Sequence, residues 1–467
     1  MRVEFRLHNL FRESIHTYLN NDPHLRNLKE VKFVFRSPLE NSIPLHIPGI
    51  YILTGGRQVG KSTLIKLIIK DLLTEKRAKP QQIYYIPCDL LERYQELVSV
   101  VEEFFEGIDK ENSFYLFLDE MTYVKEWDRA IKYFADLGYF TKGSVLITGS
   151  DSVVLKEAMK KFPGRRGKAE NTDFHYYPLS FSEFLLLTTP KLESIVKKIK
   201  KFSSFLETPT DELFLSLKES LTIETIKKID ICFKDYLLMG GFLPAINEFY
   251  KNKGKIGRFV YRTYQQWIIG DILKRNKKEH FLKEILVVLS ERLGKQITLH
   301  NIASMTEIQH HSTIQDYLNI LQDMDVLFIQ QALREDKLKP APKKAKKIHF
   351  TDPFIAQSLI SWAKDIDNPT EIVSDYGQAE IVEGCIVSLF RRNHKVYYIK
   401  AEGEVDMVIL SGKRFLPVEI KWTENLKRSE LKQILKYRKG IICYKGLRLG
   451  KYEHLYVLPV PLFALFV

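Results

Sequence analysis

Eight consecutive residues, Gly55-Gly56-Arg57-Gln58-Val59-Gly60-Lys61-Ser62, carry the sharpest chemical signal in this 467-residue sequence. They fit the spacing GxxxxGK[ST], in which glycines turn backbone N–H groups inward around phosphates. Lys61 is placed to reach β- and γ-phosphates, and Ser62 to offer its hydroxyl to Mg²⁺; Thr63 completes the loop. A second signal is Asp119-Glu120, where Asp119 would hold Mg²⁺ and Glu120 would polarise an attacking water. Thr148, Gly149 and Ser150 close a later apolar run, where a polar side chain can bond the water or the γ-phosphate. Far downstream stand Glu383, Asp406, Glu419 and Lys421. The period of two in a strand puts Glu419 and Lys421 on one face. Carboxylates converging there from adjacent strands can hold Mg²⁺, with Lys421 orienting the water.

These groups need elements to hold them. The loop follows the apolar run YILT and opens an amphipathic helix, TLIKLIIKDLL, whose N-terminus adds positive potential. The runs GIYILTG, QIYYIPCD, FYLFLDE and SVLITGS are short, apolar on both faces and end in polar or Gly residues. Buried parallel strands read this way, with functional groups at their C-terminal ends. The expected class is α/β. Residues 1–178 form a helical lead-in with a short strand, VKFVF, and a phosphate-binding parallel-sheet core, and residues 179–280 form a helical lid. Residues 281–365 read as a winged helix-turn-helix, and 370–467 as a small α/β domain in which a helix follows the third strand.

Composition narrows the classes. A 45% hydrophobic and 12% aromatic content excludes disorder as the main state. A balance of +13 favours a polyanionic partner such as DNA. Cys88, Cys232, Cys385 and Cys443 form no CxxC pair, so a disulfide scaffold or zinc ribbon is not expected and a reducing cytoplasm is. No apolar run is long enough to span a membrane.

In the helix-turn-helix reading, His300–Thr306 is the first helix and Thr313–Met324 the second. His310, His311, Ser312, Thr313 and Gln315 then stand at the exposed end that meets base edges. The following hairpin carries Lys337, Lys339, Lys343, Lys344, Lys346 and Lys347, a cluster suited to phosphate contacts.

Taken together, GGRQVGKST, LFLDE with Trp127 after it, ITGS, FPGRRG and YYPLSFSEF resemble a large prokaryotic family of AAA-type ATPases. Its members pair a P-loop module and winged helix with a C-terminal nuclease-like domain. The resemblance implies ATP and Mg²⁺ as cofactors and leaves a homo-oligomer open. It implies that Arg165 or Arg166 senses the γ-phosphate, in this subunit or a neighbour, and that Pro244, in Gly240-Gly241-Phe242-Leu243-Pro244, packs on adenine. The C-terminal block is similar to the PD-(D/E)xK nuclease core, with Val405 before Asp406 where that core carries Pro. It extends to Gln433 and Tyr437, similar to the QxxxY motif of some members. Two readings stay open: an ATPase whose C-terminal domain cuts or binds DNA, and a nucleotide-dependent switch whose nuclease-like domain is inactive.

Overall fold

The computed structural model describes residues 3–108, 112–149, 155, 157, 164–374 and 378–467. Ser150, and Phe162 and Pro163 of the FPGRRG run, lie outside them. The chain folds as two compact units, 1–177 and 178–467.

Unit 1 is built on five parallel strands, β1 (Gly49–Thr54), β2 (Ile83–Pro87), β3 (Tyr115–Asp119), β4 (Ser144–Gly149) and β5 (Asp173–His175). Their order is β2-β3-β4-β1-β5. The middles of β1 to β4 are apolar and buried because both faces are covered. Alternation divides them cleanly. Ile50, Ile52, Ile86, Leu116, Leu118, Val145 and Ile147 face helices Tyr94–Glu106 and Trp127–Asp136. Tyr51, Leu53, Ile83, Tyr85, Phe117 and Leu146 face helix Lys61–Thr74.

The lead-in completes that second layer through Phe11, Tyr18 and Leu25. Its VKFVF segment, expected as a strand, is not one: residues 31–35 are partly exposed coil, and β5 takes the sheet edge beside β1.

Unit 2 opens with helices including Phe181–Thr188, Ile223–Met239, Leu243–Lys251, Arg258–Lys274 and Glu279–Glu291. Two helices, Leu299–Ala303 and His311–Asp323, lie among strands β6 (Gln296–Ile297), β7 (Leu327–Gln330), β8 (Leu333–Arg334), β9 (Lys339–Pro340) and β10 (Lys346–Phe350). Strands β6, β10 and β7 form one antiparallel sheet, and β8 pairs with β9 as a hairpin.

Helix Gln378–Arg391 leads into β11 (Lys395–Lys400), β12 (Glu404–Ser411), β13 (Arg414–Lys421), β14 (Ile441–Tyr444), β15 (Gly450–Tyr452) and β16 (Leu455–Pro459). Their sheet order is β11-β12-β13-β14-β16-β15. A regular helix was expected between β13 and β14. Two single 3₁₀ turns, Arg428–Glu430 and Ile434–Lys436, stand there instead. Leu431 and Ile434, three residues apart, both reach the core, which suits the tighter turn.

Residues 281–365 and 370–467 read in sequence as separate domains. In the fold they share a seam. Tyr398 on β11 donates its N–H to Gln331 O and its hydroxyl to Ala345 O, and its ring is buried against Ala332 and Ala341.

Candidate functional site

The phosphate-binding loop joins β1 to helix Lys61–Thr74. Gly55 has φ +151° and a Cβ there would meet Tyr176 O at 2.4 Å, so the first turn admits only glycine. Gly60, at φ +112°, leads directly into the helix, so the helix N-terminus opens onto the loop. Lys61 is 4% exposed. Its Nζ donates to Gly55 O at 2.8 Å and Gly56 O at 3.0 Å, and lies 3.9 Å from Glu120 Oε1. The lysine is folded into the loop, against its carbonyls. Arg57 donates to the Tyr123 hydroxyl at 2.7 Å.

Asp119 ends β3 and is buried. Tyr85 from the adjacent β2 donates its hydroxyl to Asp119 Oδ2 at 2.6 Å, and Thr148 from β4 donates to Oδ1. Thr148 also accepts the Glu120 N–H at 3.1 Å. Its hydroxyl orients the acidic pair. Glu120 sits at φ +53°, a backbone region unfavourable for a glutamate, at a strand end where function concentrates such strain. Asp119, Glu120, Lys61 and the loop therefore meet at the C-terminal ends of β1 and β3, on either side of β4.

Arg165 and Arg166 do not join them. Gly167 bridges to Gly49 and Arg166 O accepts the Ile50 N–H, so both arginines lie beside the start of β1. At about 3.3 Å per residue, the length of the strand separates that end from the loop. Arg165 pairs with Asp136, and Arg166 with Asp173 at 2.7 Å. A γ-phosphate role for Arg165 within its own subunit is thereby overturned.

The sequence reading missed a supporting layer behind the loop. Asp22 and Lys66, both about 1% exposed, pair at 3.3 Å, and the Lys66 ammonium lies 3.5 Å from the Tyr85 ring centroid. His24 Nδ1 meets the Thr63 hydroxyl at 3.0 Å. Burial lowers the pKa of both Lys66 and His24, against the pull of Asp22. A lysine inside the apolar run TLIKLIIKDLL was the available clue, since a buried charge needs a partner.

In unit 2, Gly240 and Gly241 close tightly on Asp352. A Cβ at Gly240 would lie 1.9 Å from Asp352 Oδ1, and the Gly241 N–H donates to Asp352 Oδ2 at 2.8 Å. Burial lifts the Asp352 carboxyl to about 6. The pair of glycines thus has a packing reason. Pro244 opens helix Leu243–Lys251 and is exposed. His310, His311 and Ser312 are exposed at the start of helix His311–Asp323, with Thr313 and Gln315 partly so.

The four downstream residues do converge. Glu383 comes from helix Gln378–Arg391, Asp406 from β12, and Glu419 and Lys421 from β13. Lys421 Nζ lies 2.6 Å from Glu419 Oε1 and 3.4 Å from Asp406 Oδ2, which also accepts the Ile420 N–H at 2.9 Å. Gln433 accepts the Gly403 N–H at 3.1 Å.

A fifth residue stands among them. Lys347, assigned from sequence to a DNA-facing hairpin, is fully buried, and its Nζ lies 2.8 Å from Glu383, 2.5 Å from Glu404 and 3.4 Å from Asp406. Lys344 is also committed, donating to Lys400 O at 2.7 Å.

The charges explain the titration. Burial, then Asp406, lifts both Glu383 and Glu419 to about 8. Burial pushes the Asp406 carboxyl up too, but Lys347, Lys421 and the Ile420 N–H hold it below the usual carboxylate range. Burial also works against the Lys347 ammonium, and Glu383, Asp406 and Glu404 outweigh it to raise its pKa.

The donor set is of the all-oxygen kind that Mg²⁺ takes, and Glu419 Oε2 is buried with no partner. The Lys347 ammonium nevertheless fills the space between Glu383, Glu404 and Asp406. Mg²⁺ requires oxygens at about 2.0–2.1 Å, which leaves no room for that ammonium among the same carboxylates. Among the described residues, no group of three His, Cys, Asp or Glu side chains is arranged to hold a metal ion. The cluster in this arrangement does not fit a divalent ion.

The parallel sheet, the glycine loop on a helix N-terminus and the acidic strand end define unit 1 as a P-loop α/β core. Residues 48–185 match the family described as an AAA domain. Residues 232–366 and 380–463 match two families described as domains of unknown function, DUF8612 and DUF4143. Two uncharacterized proteins of Methanocaldococcus jannaschii are similar along most of their length. One is 22% identical over 86% of this chain and 80% of its own, and the other 24% over 88% and 82%. Among solved structures, a Walker-type ATPase of Pyrococcus abyssi is 15% identical with a TM-score of 0.39, over 70% of this chain and 96% of its own. The ORC2 protein of Aeropyrum pernix, in its ADPNP–ADP complexes, is 12% identical with a TM-score of 0.34, over 74% and 93%. Among the described residues, no helix is long and apolar enough to cross a membrane.

Proposed function

We propose that the chain binds ATP–Mg²⁺ at residues 55–63 and hydrolyses it, and that it acts on DNA through residues 281–365 as a winged helix. The observation that carries the first part is the meeting of Lys61, Asp119 and Glu120 at 3.9 Å between Lys61 and Glu120, with Asp119 held on both oxygens. The backbone N–H groups of the loop and the helix N-terminus cradle the phosphates, and Lys61 exchanges the Gly55 and Gly56 carbonyls for phosphate oxygens. Ser62 and Asp119 would hold the Mg²⁺, whose charge supports phosphoryl transfer. Glu120 takes the proton of the attacking water. Turnover measured on the purified protein tests this: Lys61→Ala is expected to lose ATP binding, and unchanged turnover would refute the assignment.

The DNA part rests on the +13 balance, on exposed Lys337, Lys339 and Lys343, and on the exposed start of helix His311–Asp323. Replacing those three lysines by Ala is expected to lower the log–log salt slope of duplex binding by about 0.9 per lost phosphate contact. An unchanged slope would move the DNA surface elsewhere. Of the two readings of the C-terminal domain, the buried Lys347 favours a nuclease-like fold that holds its partner without cutting it.

A further inference from the structure

A row of strand residues running across the β6-β10-β7 sheet meets β11 and β12 at the carboxylate cluster. Lys347 on β10 is registered opposite Gln296 on β6 and opposite Gln330 on β7. Gln296 donates its amide N–H to Glu404 Oε2. Gln330 donates to Tyr397 O and to Asp406 O, each at 3.0 Å. Gln330 is itself held by His349, two residues along β10 and so on the same face as Lys347, at 2.9 Å. Three donors from one sheet thus meet acceptors on β11 and β12, and the central donor is a cation among three carboxylates. The Tyr398 ring, 5.8 Å from Lys347 Nζ, covers the ammonium. A lysine whose two cross-strand neighbours are themselves bonded to β11 and β12 is not a side chain that swings in from a flexible wing.

We infer that Lys347 is a built-in counter-ion that takes the place of a divalent cation among Glu383, Glu404 and Asp406, so that the cluster stays metal-free while β10 is seated. Glu383, Glu404, Asp406 and Glu419 bring four carboxyls together, and Lys347 and Lys421 are the ammonium groups paired with them. Lys421 already serves Glu419 and Asp406 from the other side. Removing Lys347 leaves an oxygen-lined space next to Glu383, Glu404 and Asp406, which a hard cation matches in charge and ligand type. The inference is independent of the ATPase reading, since nothing in it involves the phosphate loop.

Mn²⁺ uptake by the full-length protein, followed by the loss of the free-ion EPR signal without nucleotide or DNA, tests it. Wild type and Asp406→Asn are expected to take up the same amount of Mn²⁺. Lys347→Ala is expected to gain one Mn²⁺ per chain, at least about tenfold tighter than any wild-type uptake, and to lose it again when combined with Asp406→Asn. Should Lys347→Ala fold poorly, a rise in its melting temperature with added Mn²⁺, absent in the double variant, reports the same gain. The inference is overturned by a wild-type Mn²⁺ site that Asp406→Asn abolishes. It is equally overturned by a Lys347→Ala protein that neither takes up Mn²⁺ nor is stabilised by it.

Discussion

Replacing Glu120 by Gln is expected to slow ATP turnover by about 10²-fold or more while leaving ATP binding near the wild-type level, the usual scale for losing a positioned base. The substitution is nearly isosteric, so the strained backbone at φ +53° and the bond from the Glu120 N–H to Thr148 are kept. Phosphate contacts from the backbone of the loop do not involve the lost charge. What disappears is the carboxylate that accepts a proton from water. Its loss also removes the anion 3.9 Å from Lys61, which frees that ammonium for phosphate and works towards tighter nucleotide binding. Equilibrium binding of a fluorescent ATP analogue beside single-turnover hydrolysis separates the two effects. If binding collapsed together with turnover, Glu120 would be a structural brace of the loop, and Asp119 alone would carry the acidic role.

The phosphate loop and the acidic pair were legible in the sequence because their chemistry is local: eight contiguous residues and one strand end fix the geometry. Arg165 was misplaced for the opposite reason. A motif in a loop says nothing about which end of a parallel sheet the loop returns to, and here the bridge between Gly49 and Gly167 takes it to the start of β1. Lys347 was misread because lysines in a hairpin usually face water. The alternation that buries it, with His349, could be read only against a partner sheet, and the pairing of β10 with both β6 and β7 is non-local. Asp22 and Lys66 belong to the same class of surprise, since 44 residues separate the two ends of one buried ion pair. Charges inside apolar runs were visible in the sequence. Their partners were not.

Replacing Lys347 by Met is expected to destabilise unit 2 by about 3–5 kcal/mol near pH 8, the cost of stripping one partner from a buried charge cluster. Methionine matches the length of the aliphatic stem, so the loss is mainly of charge and not of packing. The effect has a pH signature. Glu383 and Glu419 have folded pKa values near 8, raised above those of an unfolded chain. A group of that kind contributes stability that is complete below its unfolded pKa, near 4.5, and is lost as pH rises through about 8. Wild-type unit 2 should therefore weaken between pH 5 and pH 8, with Lys347 limiting the loss by compensating the carboxylates as they ionise. Without that ammonium the same carboxyls stay protonated to higher pH, and ionising them inside the fold costs more. The gap between variant and wild type should thus be present at pH 5, where Asp406 already loses its counter-ion, and widen towards pH 8. Asp406, held below the usual carboxylate range, acts in the other direction only at more acidic pH, outside this window. Urea unfolding followed by tryptophan fluorescence at both pH values gives the answer, because Trp422 lies next to Lys421 in the chain. Equal stability losses at pH 5 and pH 8 would mean that Lys347 supports the seam through packing alone, and that its charge is not what the carboxylates require.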